Sequence, residues 1–263
     1  MLFRSEIEPL IALPSSPDNV KKVSEIEGLV VNQVIVGSSA NSSFRDLMIT
    51  AKALEPRHCH PDVSLEINPG SSQALLNLAA AGGVMNLIMA GARIHQSGCL
   101  GCIGMGQAPG TGAVSLRTFP RNFPGRSGTF PDNIYLCSPE TAVASAIFGK
   151  ITDPRKLGDY PKVSNPQKYL INDENLVIPP EDSSSVEIIM GPNIKPFPKF
   201  GPLEENLSGI VALKVGDNIT TDHIMPAGSK VLPLRSNIEA ISEYVFNQID
   251  PEFPQRSRSI ADH

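Results

Sequence analysis

The chain is poor in cysteine, has no long apolar run and carries no excess of positive charge. Each shortage excludes something. A membrane-spanning helix takes about 18 or more apolar residues in a row. The longest apolar segments here, such as Ala74 to Ala81, are broken by Gly82-Gly83, so no membrane partner is expected. A net charge of −5 leaves no basic surplus to neutralise phosphates, which argues against nucleic acid as the main ligand. It leaves room for a small anion held by a few local arginines. Four cysteines in 263 residues do not make a disulfide framework. Met1-Leu2-Phe3-Arg4-Ser5-Glu6 lacks the charged start and apolar run of a secretory signal. A reducing, cytoplasmic setting is therefore the expectation.

What is present allows a packed core, with 41% hydrophobic residues over a length that fits one large domain or two smaller ones. Val30 to Gly37 reads as a buried β-branched strand closed by glycine. Phe44 to Leu54 carries apolar residues at helical spacing, with Ser42 or Ser43 as its cap. Val63 to Ile67, Ala113 to Thr118 and Asn133 to Cys137 read as further strands. Helices are predicted at Gln73 to Ala81, from about Val84 to Ala92, and at Ala142 to Lys150 behind Ser138-Pro139. This alternation predicts an α/β fold, a three-layer domain on a parallel sheet over 1–150, with ligands at the carboxyl ends of its strands. Nine prolines between Pro154 and Pro202 mark 151–205 as an extended, anchored linker, with a brief strand-like piece at Val186 to Ile189. A new unit over 206–263 opens with a strand at Ile210 to Val215, the turn Gly216-Asp217-Asn218 and Thr220-Thr221-Asp222-His223. It continues with a helix-like Ile238 to Gln248. About 58 residues with one clear strand are too few for a good core, so this unit is expected to be incomplete.

The most informative feature is Cys99-Leu-Gly-Cys102 inside the glycine-rich run Ser97 to Gly106. Two thiols three positions apart can grip one metal centre from a single turn, and the glycines let the backbone bend closely around it. On residue type alone the pair has three readings: a metal or iron–sulfur site, a redox dithiol, or two core thiols. Cys59, between His58 and His60, lies in a segment read as a solvated loop. Cys137 closes a buried strand and is read as core, and His95 as a residue at a helix end.

Several ordered segments resemble the aconitase superfamily. Ile35 to Ser43 is similar to its first cluster loop, and Ser97 to Gln107 to its Cys-x-x-Cys loop. Arg117 to Gly128 is similar to its Asn-Arg-Asn-Phe-x-Gly-Arg signature. Ser138 to Ala142 with Gly149 to Pro154 also fits, and Gly216 to Ile224 with Ala227-Gly228 resembles the opening of its swivelling domain. Within the superfamily the Thr-Thr-Asp-His-Ile wording is closer to the bacterial aconitate hydratases than to the isopropylmalate isomerases. The resemblance implies a hydro-lyase that interconverts citrate and isocitrate through cis-aconitate, a tricarboxylic acid cycle reaction. It implies a [4Fe-4S] cofactor in which three thiolates hold three irons and a fourth iron polarises the tricarboxylate. It assigns Cys99 and Cys102 as cluster ligands and Arg121, Arg126 and Arg235 as substrate-binding residues. Asp222, and with less support His223, fall in a catalytic motif.

Two departures bear on that assignment. The family's third cluster cysteine is replaced by Ser39, a harder and less acidic donor, and the asparagine before Arg121 is replaced by Pro120. A weakly held or absent cluster is therefore expected. Cys59 is the one candidate to replace that third thiol, although it follows Ser39 by 20 positions, on a different loop. The chain by itself is expected to be inactive, as a fragment or a reduced paralogue, with a further chain supplying the amino-terminal half. The alternative is a cluster-free, non-catalytic protein binding RNA through a basic cleft at Arg117, Arg121 and Arg126, which the net charge disfavours.

Overall fold

The computed structural model describes residues 7–228 and 230–261, so the segment Met1 to Glu6 read for a signal lies outside the described residues. The chain divides into two compact units, one ending at Leu176 and the other beginning at Val177.

The first unit is built on a seven-stranded sheet of order β2-β1-β7-β6-β3-β4-β5. Its strands are β1 (Leu10–Ala12), β2 (Val20–Lys22), β3 (Gln33–Gly37), β4 (Ser64–Asn68), β5 (Arg93–Ile94), β6 (Val114–Arg117) and β7 (Asn133–Cys137). β3 to β7 run parallel; β1 pairs antiparallel with β7 and with β2 at one edge. The helices are α1 (Val23–Ile26), α2 (Phe44–Ala53), α3 (Ser72–Ala80), α4 (Gly83–Met89) and α5 (Pro139–Phe148). The predicted α/β class is the observed one.

The period-2 rule sorts the central strands onto two faces. Val34 and Val36 of β3, Leu65 and Ile67 of β4 and Leu116 of β6 join residues of α2 to α5 in one core. Ile35 faces the other way, into a smaller cluster with Ile134, Leu136, Phe119 and Cys102. Helices therefore cover the first face, and loops, including the cysteine loop, cover the second. α2 starts where its sequence says: Ser43 Oγ accepts from Asp46 N–H at 3.2 Å while Asp46 Oδ2 accepts from Ser43 N–H at 3.1 Å. Ser138 Oγ caps α5 by accepting from Thr141 N–H at 3.3 Å, with Pro139 in the first turn and Gly149 closing the helix at φ 71°.

The first predicted strand is shorter than expected. Val30 makes only an isolated bridge to Lys150, and Val31 N–H goes to Gly149 O, so the chain is tied to the end of α5 before it enters the sheet. The proline-rich stretch begins on the first unit. Tyr169 stands edge-on to Phe44 with ring centroids 6.0 Å apart. Asn77 exchanges hydrogen bonds with the Leu170 backbone at 2.8 and 3.0 Å, which holds the chain against α2 and α3.

The second unit is described by itself. Its helices are α6 (Thr221–Ile224), α7 (Ile238–Ser242) and α8 (Phe253–Ala261). Three expectations fail in it. Val186 to Ile189 and Ile210 to Val215 form no strand, and Ile210 and Val211 are 74% and 83% exposed. A β-branched run becomes a strand only when a neighbouring edge takes its N–H and C=O groups, and none does so here among the described residues. The helix begun at Ile238 stops at Ser242. Phe246 takes φ 55°, donates its N–H to Ile224 O at 2.8 Å and meets Phe253 edge-on. Among the described residues no single helix is long and apolar enough to cross a membrane.

Candidate active site

The loops after β3, β4, β5 and β6 leave the same edge of the sheet, because those strands are parallel. This is the carboxyl edge, where open α/β sheets place ligands. The first loop begins at Gly37, which only glycine can occupy. Its φ is +128°, and a Cβ there would stand 1.9 Å from Asn68 O. Ser38 follows in the left-handed region at φ 77° and is fully buried. For a non-glycine residue that backbone costs about 1 kcal/mol. It is held by Ser38 N–H donating to Asn68 O at 3.0 Å and by Ser42 Oγ donating to Ser38 O. The result is that Ser38 Oγ sits 3.4 Å from Cys99 Sγ.

The cysteine loop is tied down at both ends. Gly98 N–H donates to Pro69 O at 3.1 Å and Met105 N–H to Leu100 O at 3.0 Å. Gly104, at φ 74°, lets the loop press on the segment after β6, where a Cβ would meet Ser127 O at 2.0 Å. Between them, Leu100 is helical and Gly101–Ile103 forms a 3₁₀ turn. Cys99 faces solvent and Cys102 is buried. Each of the two thiols shifts the ionisation of the other. Arg126, itself buried, donates Nε–H and Nη2–H to Cys102 Sγ at 3.3 and 3.2 Å.

This geometry splits the two thiols. The hydrogen bond from Cys102 holds Cys99 down at about 5, helped by the hydroxyls of Ser38 and Ser39 and by the charge of Arg126 against the opposing effect of burial. The bond to Cys99 and burial push Cys102 far above the ordinary thiol range. The folded value for Cys99 lies below its unfolded one, so its ionisation stabilises the fold above about pH 8.5, and that contribution fades as pH falls through about 5. Iodoacetamide should therefore alkylate Cys99 at near-constant rate at neutral pH, falling to half near pH 5. A half-rate point near the ordinary thiol value, read by peptide mass spectrometry, refutes the split.

Arg117 corrects the sequence reading. The expected basic cleft with Arg121 and Arg126 does not include it, because its side chain is fully buried. All five of its N–H groups are used. Nε donates to Ser115 Oγ at 2.9 Å. Nη1 donates to Gly101 O and Ser127 Oγ at 2.7 and 2.8 Å, and Nη2 to Gln33 Oε1 and Gln107 O at 3.2 and 3.1 Å. Burial pulls it down to about 10, so it stays charged at neutral pH. His95 is also not a helix-end residue: its Nε2 lies 3.0 Å from Glu66 Oε2, and Glu66 Oε1 accepts from Gln33 Nε2 at 3.0 Å.

The other predicted site residues separate into two groups. Ser39 is exposed beside Cys99, and Arg121 is half-buried in the loop after β6. Asp222 and Arg235 belong to the second unit. Asp222 is buried in α6, whose His223 Nδ1 accepts from Thr220 N–H at 3.0 Å, and Arg235 is exposed at the end of the 3₁₀ turn Leu232–Leu234. Cys59 does not supply a third thiol to the pair. Its Sγ lies 3.5 Å from both Val63 O and Ala146 O, on the helical side of the sheet, and burial pushes it up to about 11. Ser38 was missed, because residue type carries no sign of its left-handed backbone.

A [4Fe-4S] cluster with one open iron needs three thiolates. The loops bring together two thiols and the hydroxyls of Ser38 and Ser39, with Cys102 already gripped by Arg126. A serine hydroxyl stays protonated at neutral pH and is a hard donor, so this set does not fit the cluster. Among the described residues, no group of three or more His, Cys, Asp and Glu is arranged to hold a metal ion.

A parallel-sheet α/β domain with a glycine-bounded thiol pair and a guanidinium at its carboxyl edge defines the class. Residues 11–149 match the aconitase family (aconitate hydratase), and the chain belongs to that family. It is similar to 3-isopropylmalate dehydratase large subunit 1 of Methanopyrus kandleri, 43% identical over 153 residues, covering 57% of this chain and 36% of that protein. The large subunit 1 of the same name from Thermotoga maritima is 40% identical over 153 residues, 57% of this chain and 37% of that one. The methanogen homoaconitase large subunit of Methanocaldococcus jannaschii is 40% identical over 150 residues, 57% and 36% of the two chains. The chain thus spans just over a third of the length of these relatives. Their names are those of isopropylmalate dehydratase and homoaconitase subunits, not of aconitate hydratase, which the sequence reading had favoured.

Proposed function

We propose that the chain is the cluster-loop portion of an aconitase-type hydro-lyase that binds a small hydroxy polycarboxylate and, by itself, does not turn it over. The observation that carries this reading is Arg126 against the Cys102 thiol at the carboxyl edge of the sheet, within a segment that matches the family. In this reading Arg121 and Arg126 receive carboxylates, since a planar guanidinium fork matches a carboxylate in a way an ammonium does not. Asp222 and Arg235 are contributions of a swivel-type segment over 206–263. No step is assigned to a cluster, because the thiols present do not hold one. A partner chain completes the site, a reading supported by the "large subunit" in the relatives' names.

For the substrate we favour a citrate-type tricarboxylate, supported by the Gly216 to Ile224 segment standing on the same chain. The second reading is 3-isopropylmalate, favoured by 43% identity to a protein named for it. Thermal unfolding with each acid tests both the class and the choice. A ligand at 100 times its Kd stabilises by about 2.7 kcal/mol. The preferred acid should raise Tm while dehydration assays stay at background, and Arg126→Gln should abolish the rise. Turnover by the purified chain, or no response to either acid, defeats the proposal.

A further inference from the structure

The serine at position 39 leaves the two thiols without the third thiolate that a cluster needs. The pair's geometry has three parts. Cys99 directly precedes the helical Leu100 and Cys102 lies within the 3₁₀ turn Gly101–Ile103, and a helical step of three residues spaces Cα atoms by about 5–6 Å, inside the window of about 4.4–6.8 Å for a disulfide. The helical Leu100 leads directly into the turn that carries Cys102, so the backbone between the two thiols already follows the short path that a closed ring takes. Their access is unequal: Cys99 is exposed, and Cys102 is 1% exposed behind it. An incoming disulfide can reach only the outer sulfur, and only the inner sulfur is placed to displace it. Cys59 and Cys137 belong to the core on the helical face and stand apart from this arrangement.

We infer that Cys99 and Cys102 form a thiol–disulfide exchange site whose substrate is a low-molecular-weight disulfide such as oxidised glutathione. Cys99 gives its proton to solvent, and its sulfur attacks one sulfur of the disulfide. The substrate S–S bond breaks, one thiolate leaves and is protonated by water, and Cys99 carries the mixed disulfide. Cys102 then gives up its proton and attacks Cys99 Sγ, expelling the second thiolate. Two protein thiols are oxidised and one disulfide is reduced to two thiols, so electrons and protons balance. Arg126 is a positioning residue. Its two N–H groups hold the Cys102 sulfur electron pairs in the reduced state, and they lose most of that interaction when the sulfur enters a disulfide.

The test is titration of the full chain with mixtures of reduced and oxidised glutathione, followed by acid quenching and peptide mass spectrometry. The wild type should lose two hydrogens, located in a Cys99–Cys102 linkage. Cys102→Ser should stop at one glutathione on Cys99, and Cys99→Ser should take up none at Cys102. Arg126→Gln should move the balance toward the disulfide by about tenfold, equivalent to about 30 mV for a two-electron couple. Circular dichroism of each variant separates loss of exchange from loss of fold. Three outcomes overturn the inference: both thiols reduced in folded wild type under oxidised glutathione, glutathione accumulating on Cys102 in Cys99→Ser, or linkage through Cys59 or Cys137.

Discussion

Ser39→Cys should convert a chain that retains almost no iron into one that retains a cluster. After anaerobic reconstitution and desalting, the wild type is expected to hold well under one iron. The variant should hold about four irons and four sulfides per chain, with the broad visible absorbance of an iron–sulfur centre. Position 39 lies in the loop that already delivers hydroxyls to Cys99, so the new thiol enters a site built around two others. The change in donor is large. A thiol ionises near pH 8.5 and is driven further by a metal, whereas an alcohol does not ionise in this range. A control places cysteine at Ser38, where the fully buried left-handed backbone should not tolerate the swap as well. Equal iron in wild type and Ser39→Cys shows that the third donor is not what limits the site. The same variant also bears on the exchange chemistry, since three clustered thiols under cluster load should no longer react with oxidised glutathione.

The parts of the fold legible in the sequence are those fixed by local signals. β3, α2 and α5 follow from a β-branched run, an apolar period of 3.6 and serine caps, and the structure puts Ser43 and Ser138 in those roles. β1 and β2 were not anticipated, because three residues give no measurable alternation. Ile210 to Val215 shows the opposite failure. Its residues favour a strand, but propensity cannot supply the partner edge. In the site, the cysteine spacing and the family motifs led to Cys99, Cys102 and Arg126. Arg117 was misplaced because an arginine at the end of a strand, followed by a loop that carries two more arginines, reads as solvated. A signal was nevertheless available. Gln33 on β3, Ser64, Glu66 and Asn68 on β4, and Ser115 and Arg117 on β6 stand at positions of one parity, and the positions of the other parity, Val34, Val36, Leu65, Ile67, Val114 and Leu116, are aliphatic. With the strands in register, those polar residues share one face. A polar row in the middle of a parallel sheet has to be covered by something that accepts its hydrogen bonds, and here the cysteine loop covers it.

Arg117→Met should therefore be the most destabilising single change in the first unit that keeps side-chain bulk. The substitution removes donors from Gly101 O, Gln107 O and Ser127 Oγ, and it also leaves Gln33 Oε1 and Ser115 Oγ short of a partner. A buried acceptor left unsatisfied costs about 1–3 kcal/mol, and the hydroxyls can partly recover by rotating, so the net loss is expected at about 3–5 kcal/mol. Against a typical total of about 5–15 kcal/mol this is a large fraction. For a unit of this size it should lower Tm by about 10 °C or more. The damage should also be local in a recognisable way. Gly101 and Gln107 flank Cys102, so the loop should loosen before the sheet does, exposing Cys102 to maleimide and the segment from 98 to 107 to protease at temperatures where the far-ultraviolet spectrum is unchanged. Arg117→Lys should recover only part of the loss, since one ammonium with three donors cannot serve five acceptors spread around a planar fork. A Tm within about 2 °C of wild type for Arg117→Met, with Cys102 still protected, means that the buried guanidinium is not what seats the cysteine loop on the sheet.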